Sequence, residues 1–379
     1  MSLRRRLEEL EDRRLAPCAI RSTAAGGREY PESPQEQRTE FQRDRDRIIY
    51  STAFRRLEYK TQVFPNHEGD HYRTRLTHTI EVANLARTLA RSLDLNEDFT
   101  ECLALAHDIG HPPFGHCGEE VLSRLMEPYG GFEHNEQSYR LLTVLEKGYA
   151  GHPGLNLTRE ILKAVLQHTR EYRRRYPEGG HALLETRLVS IADEMVYDAH
   201  DLDDGLSSGI LTEGELAPLE FWREAVATQG FPRDAGPDVR RRTAVRAILN
   251  LLVQDFIATA RSNLEMRAFR SKEEAQPFSA EVLRFSAHLE GLKGQLELFL
   301  RERMYRHPTV LKMMNKSKYF VERLFQHFKE FPTELPREFQ ERFARDGVER
   351  SIADYIAGMT DRFLQEEYVR IFMPFQKML

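Results

Sequence analysis

The stretch Ala104-Leu105-Ala106-His107-Asp108-Ile109-Gly110-His111-Pro112-Pro113-Phe114-Gly115-His116-Cys117-Gly118-Glu119 decides how this chain is read. An apolar run ends in an imidazole and a carboxylate side by side, and His111, His116 and Glu119 follow within twelve positions. Ile109-Gly110 lets the chain turn, so that the side chains of His107 and Asp108 can converge. Seven of the fourteen histidines fall between His67 and His134, which concentrates in one segment the side chain that titrates near neutral pH. Histidine and aspartate on apolar segments are costly to bury unpaired, and a bound cation is the commonest way to satisfy them.

Outward from this stretch, nearly every segment has helical periodicity. The spacing predicts helices over 7–15, 38–61, 76–93, 97–109, 118–129, 132–146, 158–172 and 182–208. Further helices are expected over 218–229, 239–269, 279–306, 308–330 and from 350 to the end. Only 62–75, with Val63-Phe64-Pro65 and Glu68-Gly69-Asp70, changes character and predicts at most a short β-hairpin or an irregular loop. The fold class is therefore all-α. With no internal repeat and no clear linker, one continuous helical body is expected.

His78 shares a helix face with Val82, Leu85 and Leu89. A lone histidine there reads as a hydrogen-bonded core residue, but His107 and Asp108 at the end of an apolar helix change that reading. Asp193 sits in Leu188-Val189-Ser190-Ile191-Ala192-Asp193-Glu194-Met195-Val196, apolar enough that a buried carboxylate needs a partner. Asp193, Tyr197 and Asp201 recur at i, i+4 and i+8, as an exposed polar edge or as a stripe facing a ligand. Two imidazoles and two carboxylates, His78, His107, Asp108 and Asp193, form an N/O set without thiolate. Such a set suits a divalent ion with positions open to water and substrate, and Mg, Mn, Fe, Co and Ni all tolerate it.

The pattern His78 … His107-Asp108 … Asp193 resembles the H…HD…D signature of HD-domain metallophosphohydrolases. The extended motif is more restrictive, as are Phe54-Arg55-Arg56-Leu57, Gly69-Asp70-His71-Tyr72-Arg73-Thr74-Arg75-Leu76-Thr77-His78 and Phe132-Glu133-His134-Asn135-Glu136-Gln137. From about Phe41 to Gly205 the chain resembles the dNTP triphosphohydrolases, the deoxyguanosinetriphosphate triphosphohydrolase-like family. Val310 to Lys318 carries a weaker echo.

The resemblance implies an HD-domain helical bundle extended by further helices. Residues 1–40 would form an N-terminal helix and loop, 41–210 the HD core, and 211–379 a C-terminal helical region packed on it. It implies metal-dependent hydrolysis of a deoxynucleoside triphosphate to deoxynucleoside and tripolyphosphate, with His78, His107, Asp108 and Asp193 on the metal. His116 with Glu119 becomes the acid/base element, with His111 and His134 close by. A triphosphate calls for arginine and lysine. Arg56, Lys60, Arg73 and Arg75 are nearest in sequence, and Lys312, Lys316 and Lys318 lie on a later helix. Gln62 and Asp201 match positions that read the deoxyribose 3′-hydroxyl, and Tyr197 is placed to pack against C2′. A homo-oligomer, hexamer or tetramer, and a regulatory nucleotide or single-stranded DNA as further partner are implied as well.

Composition narrows the alternatives. Hydrophobic residues at 40% and charged residues at 30% fit a globular protein with a substantial core, and a formal charge of -5 gives no global reason to expect nucleic-acid binding. The basic clusters Arg4 to Arg6, Arg173 to Arg175 and Arg240 to Arg242 read as solvated helix faces. Three cysteines without a C-x-x-C point to a reducing cytoplasm. No stretch reads as long and apolar enough for a membrane span, and no Walker-type phosphate loop occurs. The competing readings are an HD phosphohydrolase acting on another nucleotide, and a nucleotide- or single-stranded-DNA-binding regulator with little turnover.

Overall fold

The computed structural model describes residues 1–62, 73–167, 180–229 and 235–373, with 169, 172 and 174. The helices that carry and support the site are α1 (Glu40–Ile49), α2 (Arg75–Ser92), α3 (Glu97–Ala106), α4 (His116–Met126), α5 (His134–Arg140) and α6 (Leu184–Ser207). They are followed by α7 (Glu220–Gln229), α8 (Pro237–Arg267), α9 (Ala287–Leu300), α10 (Pro308–Glu330), α11 (Val348–Ala357) and α12 (Asp361–Phe372). Among the described residues there is no strand, only the isolated bridges Arg28–Thr158 and Thr61–Thr74. The fold is all-α, as the periodicity predicts. Residues 63–72 of the hairpin expected over 62–75 lie outside the described residues, and the isolated Thr61–Thr74 bridge flanks them.

Helix boundaries follow local capping chemistry. Thr74, Asn96 and Thr360 each accept a hydrogen bond from the backbone N–H three residues on, which satisfies a donor that the first helical turn leaves orphaned. The same chemistry breaks three of the predicted helices. The one expected over 38–61 stops at Ile49, and Ser51 caps a new turn, Thr52–Arg56. The one expected over 279–306 is interrupted before Ser286, which caps α9, and it finishes in a π turn, Arg301–Tyr305. The last one, from 350, is split into α11 and α12 at residues 358–360.

Buried apolar side chains separate into two cores. In the first, α2 packs on α3 and α6, α3 on α1, α6 on α8, and α8 on α7. Its members run from Leu15 to Val310, so the core does not change at 210/211. In the second, Phe114, Val121, Leu122, Met126 and Phe132 pack against Phe325, Phe328, Ile352, Ile356 and Leu364. Each fully buried side chain of this kind contributes about 1.5–3 kcal/mol. Helix α4 thus belongs with α10 and α11, although it lies far from them in sequence.

The expectation that no stretch is apolar enough to cross a membrane needs correction at α8. By length and composition this helix passes, with an 18-residue window of mean hydropathy 1.2, of which 33% is buried within the chain. Ala244, Ala247, Ile248, Leu252, Phe256 and Ala260 form its buried stripe in the first core.

Candidate active site

On α2, His78, Val82, Leu85 and Leu89 are all buried, the face that their spacing predicts. His78 from α2, His107 just beyond α3, and Asp193 from α6 bring their ligand atoms within 4.8 Å of one another. His78 Nε2 lies 2.9 Å from Asp193 Oδ1, and His107 Nε2 lies 3.7 Å from the same oxygen. Two donors at right angles on a cation about 2.1 Å away stand about 3 Å apart, so these separations suit a divalent ion. His107 donates from Nδ1 to the Ala104 carbonyl at 2.5 Å. Its Nε2 is buried without a hydrogen-bond partner among the described residues, which is costly unless something occupies that lone pair. The donor set therefore fits a metal ion.

Asp108 stands at the rim of this set. Its Oδ1 lies 3.5 Å from His107 Nε2 and 3.1 Å from His111 Nε2, and its Oδ2 accepts from Arg75 Nη1 at 2.8 Å. Burial raises the Asp108 carboxyl, but Arg75, His107 and His111 outweigh it and hold the group well below the usual carboxylate range. Burial lowers His107, yet Asp108 and Asp193 lift it to about 9. Burial likewise raises Asp193, and the imidazoles of His107 and His78 beside it bring it below its ordinary value. The carboxylates hold a positive charge at this point, as a proton on imidazole or as a cation that displaces it.

A second cluster lies on the other side of Asp108. Glu119 Oε1 accepts from the His134 backbone N–H at 2.7 Å and faces His134 Nδ1 at 2.8 Å. Glu119 Oε2 is 3.5 Å from His116 Nδ1 and 4.0 Å from His111 Nδ1. The rings of His111 and His134 stack at 3.9 Å. His134 is thus the tighter partner of Glu119, and His116, with 63% of its side chain exposed, is the member open to a ligand. Burial raises the Glu119 carboxyl, but hydrogen bonds from His116 and His134 hold it far below its ordinary range. Burial and the Arg75 charge press His111 well below its own.

The glycines of the deciding stretch make this closeness sterically feasible. A Cβ on Gly110 would lie 2.2 Å from the His134 carbonyl oxygen, and one on Gly115 would lie 2.4 Å from Arg75 Nη2. Gly115 also has φ +56°, directly after Phe114 at φ +62°, a left-handed region in which glycine is at ease and phenylalanine is strained. Phe114 is held there by its buried ring in the second core and by its N–H, which donates to Asp361 Oδ1 at 2.9 Å.

Two family models match the chain: an HD domain over residues 75–198 and a phosphohydrolase-associated domain over 283–370. A deoxyguanosinetriphosphate triphosphohydrolase-like protein of Geobacter metallireducens is 44% identical over 96% of both chains. One of Ralstonia pickettii is 46% identical over 94% of both, and one of Leptospira interrogans 42% identical over 96% of this chain and 97% of its own. The chain belongs to the deoxyguanosinetriphosphate triphosphohydrolase-like family. It is an HD-domain phosphohydrolase, and the HD match contains both clusters. The phosphohydrolase-associated match spans α9, α10 and α11 and all but the last two residues of α12, Asp361 included.

The remaining expected residues fall in different places. His116, Asp193 and Tyr197 line one cavity of about 750 Å³ with Lys293, Arg301 and Tyr305. Both carboxylate oxygens of Asp201, the Gln62 Oε1, and the Nε and Nη2 of Arg75 are buried without hydrogen-bond partners among the described residues. Arg56 lies elsewhere, in a cleft with Glu338, Phe339 and Tyr355, and donates to the Gly358 carbonyl at 3.0 Å. Lys60 is fully buried and donates to the carbonyls of His111 at 2.6 Å and Ala357 at 2.9 Å. Arg73 is taken up by Asp203 and Asp204. Lys318 pairs with Glu120 at 2.5 Å, and Lys312 is exposed on α10.

Sequence reasoning missed several contributors. Tyr305, whose hydroxyl is 3.2 Å from that of Tyr197, comes from the π turn after α9, and nothing in its local pattern marks it. His200 does carry a signal: it lies seven residues after Asp193 on α6, two helical turns along the same face. Asp361, at the start of α12, was hidden by the unpredicted helix break.

Proposed function

We propose that the chain hydrolyses deoxynucleoside triphosphates to deoxynucleoside and tripolyphosphate. The observation that carries this reading is that Asp193 of the metal-capable set and His116 of the Glu119 cluster line the same cavity. The names of the relatives add the substrate class. A cation held by His78, His107, Asp108 and Asp193 would supply Lewis-acid polarisation of a phosphoryl oxygen.

The chain's own residues cover the other requirements. Water adds at the α-phosphorus, the bond from phosphorus to O5′ breaks, and one proton leaves the water while another reaches O5′. Imidazoles of the Glu119 cluster carry these protons. The Glu119 carboxylate fixes the ring of His134 and faces Nδ1 of His116, which leaves Nε2 of His116 for the reacting atoms. Arg75 is clamped through Nη1 by Asp108, so its remaining N–H groups are oriented for a phosphate. The unpartnered oxygens of Asp201 and Gln62 suit a sugar hydroxyl. Tyr197, positioned by Tyr305, closes the wall beside the sugar and discriminates against a 2′-hydroxyl.

A panel of dNTPs and NTPs with Mg²⁺ or Mn²⁺, singly and in mixtures, tests this by product. Tripolyphosphate with free deoxynucleoside is expected. Pyrophosphate or orthophosphate as the primary product, or no turnover of any dNTP, would overturn it. Tyr197→Ala should narrow the difference between dNTP and NTP turnover, and unchanged discrimination would remove Tyr197 from that role.

A further inference from the structure

Both ring nitrogens of His78 are engaged, and the neighbour on the side away from Asp193 is a second imidazole. His78 Nδ1 lies 3.3 Å from His200 Nδ1, with the rings tilted by 68°. His200 Nε2 lies 2.6 Å from Glu81 Oε2. Glu81 is three residues after His78 on α2 and His200 is on α6, so the chain of contacts closes across the seam between the two helices. The nearby cation of Arg73 is held by Asp203 at 2.8 Å and Asp204 at 2.9 Å, which leaves Glu81 free to accept from His200.

The proton positions follow by elimination. A carboxylate only accepts, so the hydrogen between Glu81 and His200 belongs to His200 Nε2. A neutral imidazole carries one N–H, so His200 Nδ1 presents a lone pair and must accept. The group facing it is His78 Nδ1, which therefore carries its hydrogen there. His78 Nε2 faces the Asp193 carboxylate at 2.9 Å, which only accepts, so a cation bound between the two would replace the hydrogen there and take the Nε2 lone pair. His107 reaches the same state by a shorter route, because its Nδ1–H donates to the Ala104 carbonyl. Both ligand histidines thus present Nε2 to one point.

We propose that Glu81 and His200 form a tautomer-setting relay for the metal centre: Glu81 orients His200, and His200 fixes His78 with Nε2 free to bind a divalent cation. They are positioning residues, acting on the cation only through His78. This rests on reading His78, His107, Asp108 and Asp193 as a cation site, and the test separates the two.

Metal-free protein is titrated with Mn²⁺, and the free ion is followed by electron paramagnetic resonance. Thermal unfolding of each metal-free variant reports structural damage separately. His107→Ala, which removes a ligand, should abolish binding. His200→Phe keeps the bulk and removes the acceptor, and should weaken binding about 10–100-fold, the usual effect of losing an outer-shell partner. His200→Gln returns an acceptor oxygen and should restore most of the affinity. Glu81→Leu should weaken binding in the same direction, and with 52% of the Glu81 side chain exposed it does not threaten folding. If His200→Phe and Glu81→Leu bind Mn²⁺ as the unsubstituted chain does while His107→Ala does not, the relay is wrong and the site stands. Equal weakening by His200→Phe and His200→Gln also overturns the relay. Undiminished binding by His107→Ala removes the cation site itself. Should His200→Phe not fold, Glu81→Leu and His200→Gln decide.

Discussion

His78, His107 and Asp193 are carried by helices of the first core, whereas His116 and Glu119 ride on α4, whose apolar face belongs to the second. The metal-capable half is rigid by local means. Its ligands sit on or at the end of helices that pack directly on one another, and the orienting partners Ala104, Glu81 and His200 lie within the same layer. The half around Glu119, to which we assign the proton transfers, is held from a distance. The loop before α4 is fixed at Phe114 by Asp361, and its His111 carbonyl is held by Lys60, which also grips Ala357. Asp361 binds the Thr61 backbone and hydroxyl as well, so a single carboxylate ties both this loop and Thr61 to the start of α12. The C-terminal helices therefore set the relative placement of the two halves.

The sharpest way to break this comparison is to remove one member from each half. His107→Ala should lower kcat by on the order of 10³-fold or more, the several kcal/mol that Lewis-acid stabilisation supplies, and should abolish Mn²⁺ binding. Glu119→Gln should lower kcat about 10²–10⁴-fold, the usual worth of general acid–base groups, with Mn²⁺ affinity unchanged. Kinetics beside a metal titration reads both. If Glu119→Gln lost the metal as His107→Ala does, the two halves would be one unit.

Asp361→Ala tests the long-range support. It leaves the buried N–H groups of Thr61 and Phe114 without their acceptor, at about 1–3 kcal/mol each, so chemical denaturation should show a loss of a few kcal/mol. The loop bearing His116 loosens, so kcat should fall while Mn²⁺ affinity is retained. Wild-type kcat in a protein destabilised to this extent would mean that the second core holds the fold together without positioning the chemistry.

The same contrast explains what could be read from sequence. His78 with Val82, Leu85 and Leu89, and Asp193 with Tyr197 and Asp201, are legible because periodicity within one helix fixes which side chains share a face. The glycine-rich loop is legible as a motif, though the reasons for Gly110 and Gly115 are the His134 carbonyl and the Arg75 guanidinium, neither of which is adjacent in sequence. Asp361 is 247 residues from Phe114 and sits where α11 and α12 separate. Apolar spacing runs through that break, and only the Thr360-Asp361 capping pair hints at a new helix start. Lys60 was read as a phosphate-binding cation because charge is visible in sequence and burial is not. Contacts between distant segments determine burial, and a single sequence does not display them.

A smaller, graded difference between the two regions is expected in the pH dependence of stability. Glu185 in the first core is buried and accepts from the Ile20 and Asn96 N–H groups, and burial lifts it from 4.5 to about 7 despite those bonds. Between those two values the folded chain holds a proton that the unfolded chain has released, so this residue's contribution falls as pH rises from about 4.5 to 7. Lys60, beside the second core, has the opposite sign. Burial, with the Arg56 charge, lowers it from 10.5 to about 7, so between those values the unfolded chain holds the extra proton and stability grows as pH rises. Each slope is bounded at about 1.4 kcal/mol per pH unit. Against the unsubstituted chain, Glu185→Gln should flatten only the limb below neutrality and Lys60→Met only the limb above it, as read by urea denaturation across pH 5 to 9. If either substitution flattened the other's limb, the buried charges of the two cores would be coupled through the site, and the halves could not be treated as separately supported.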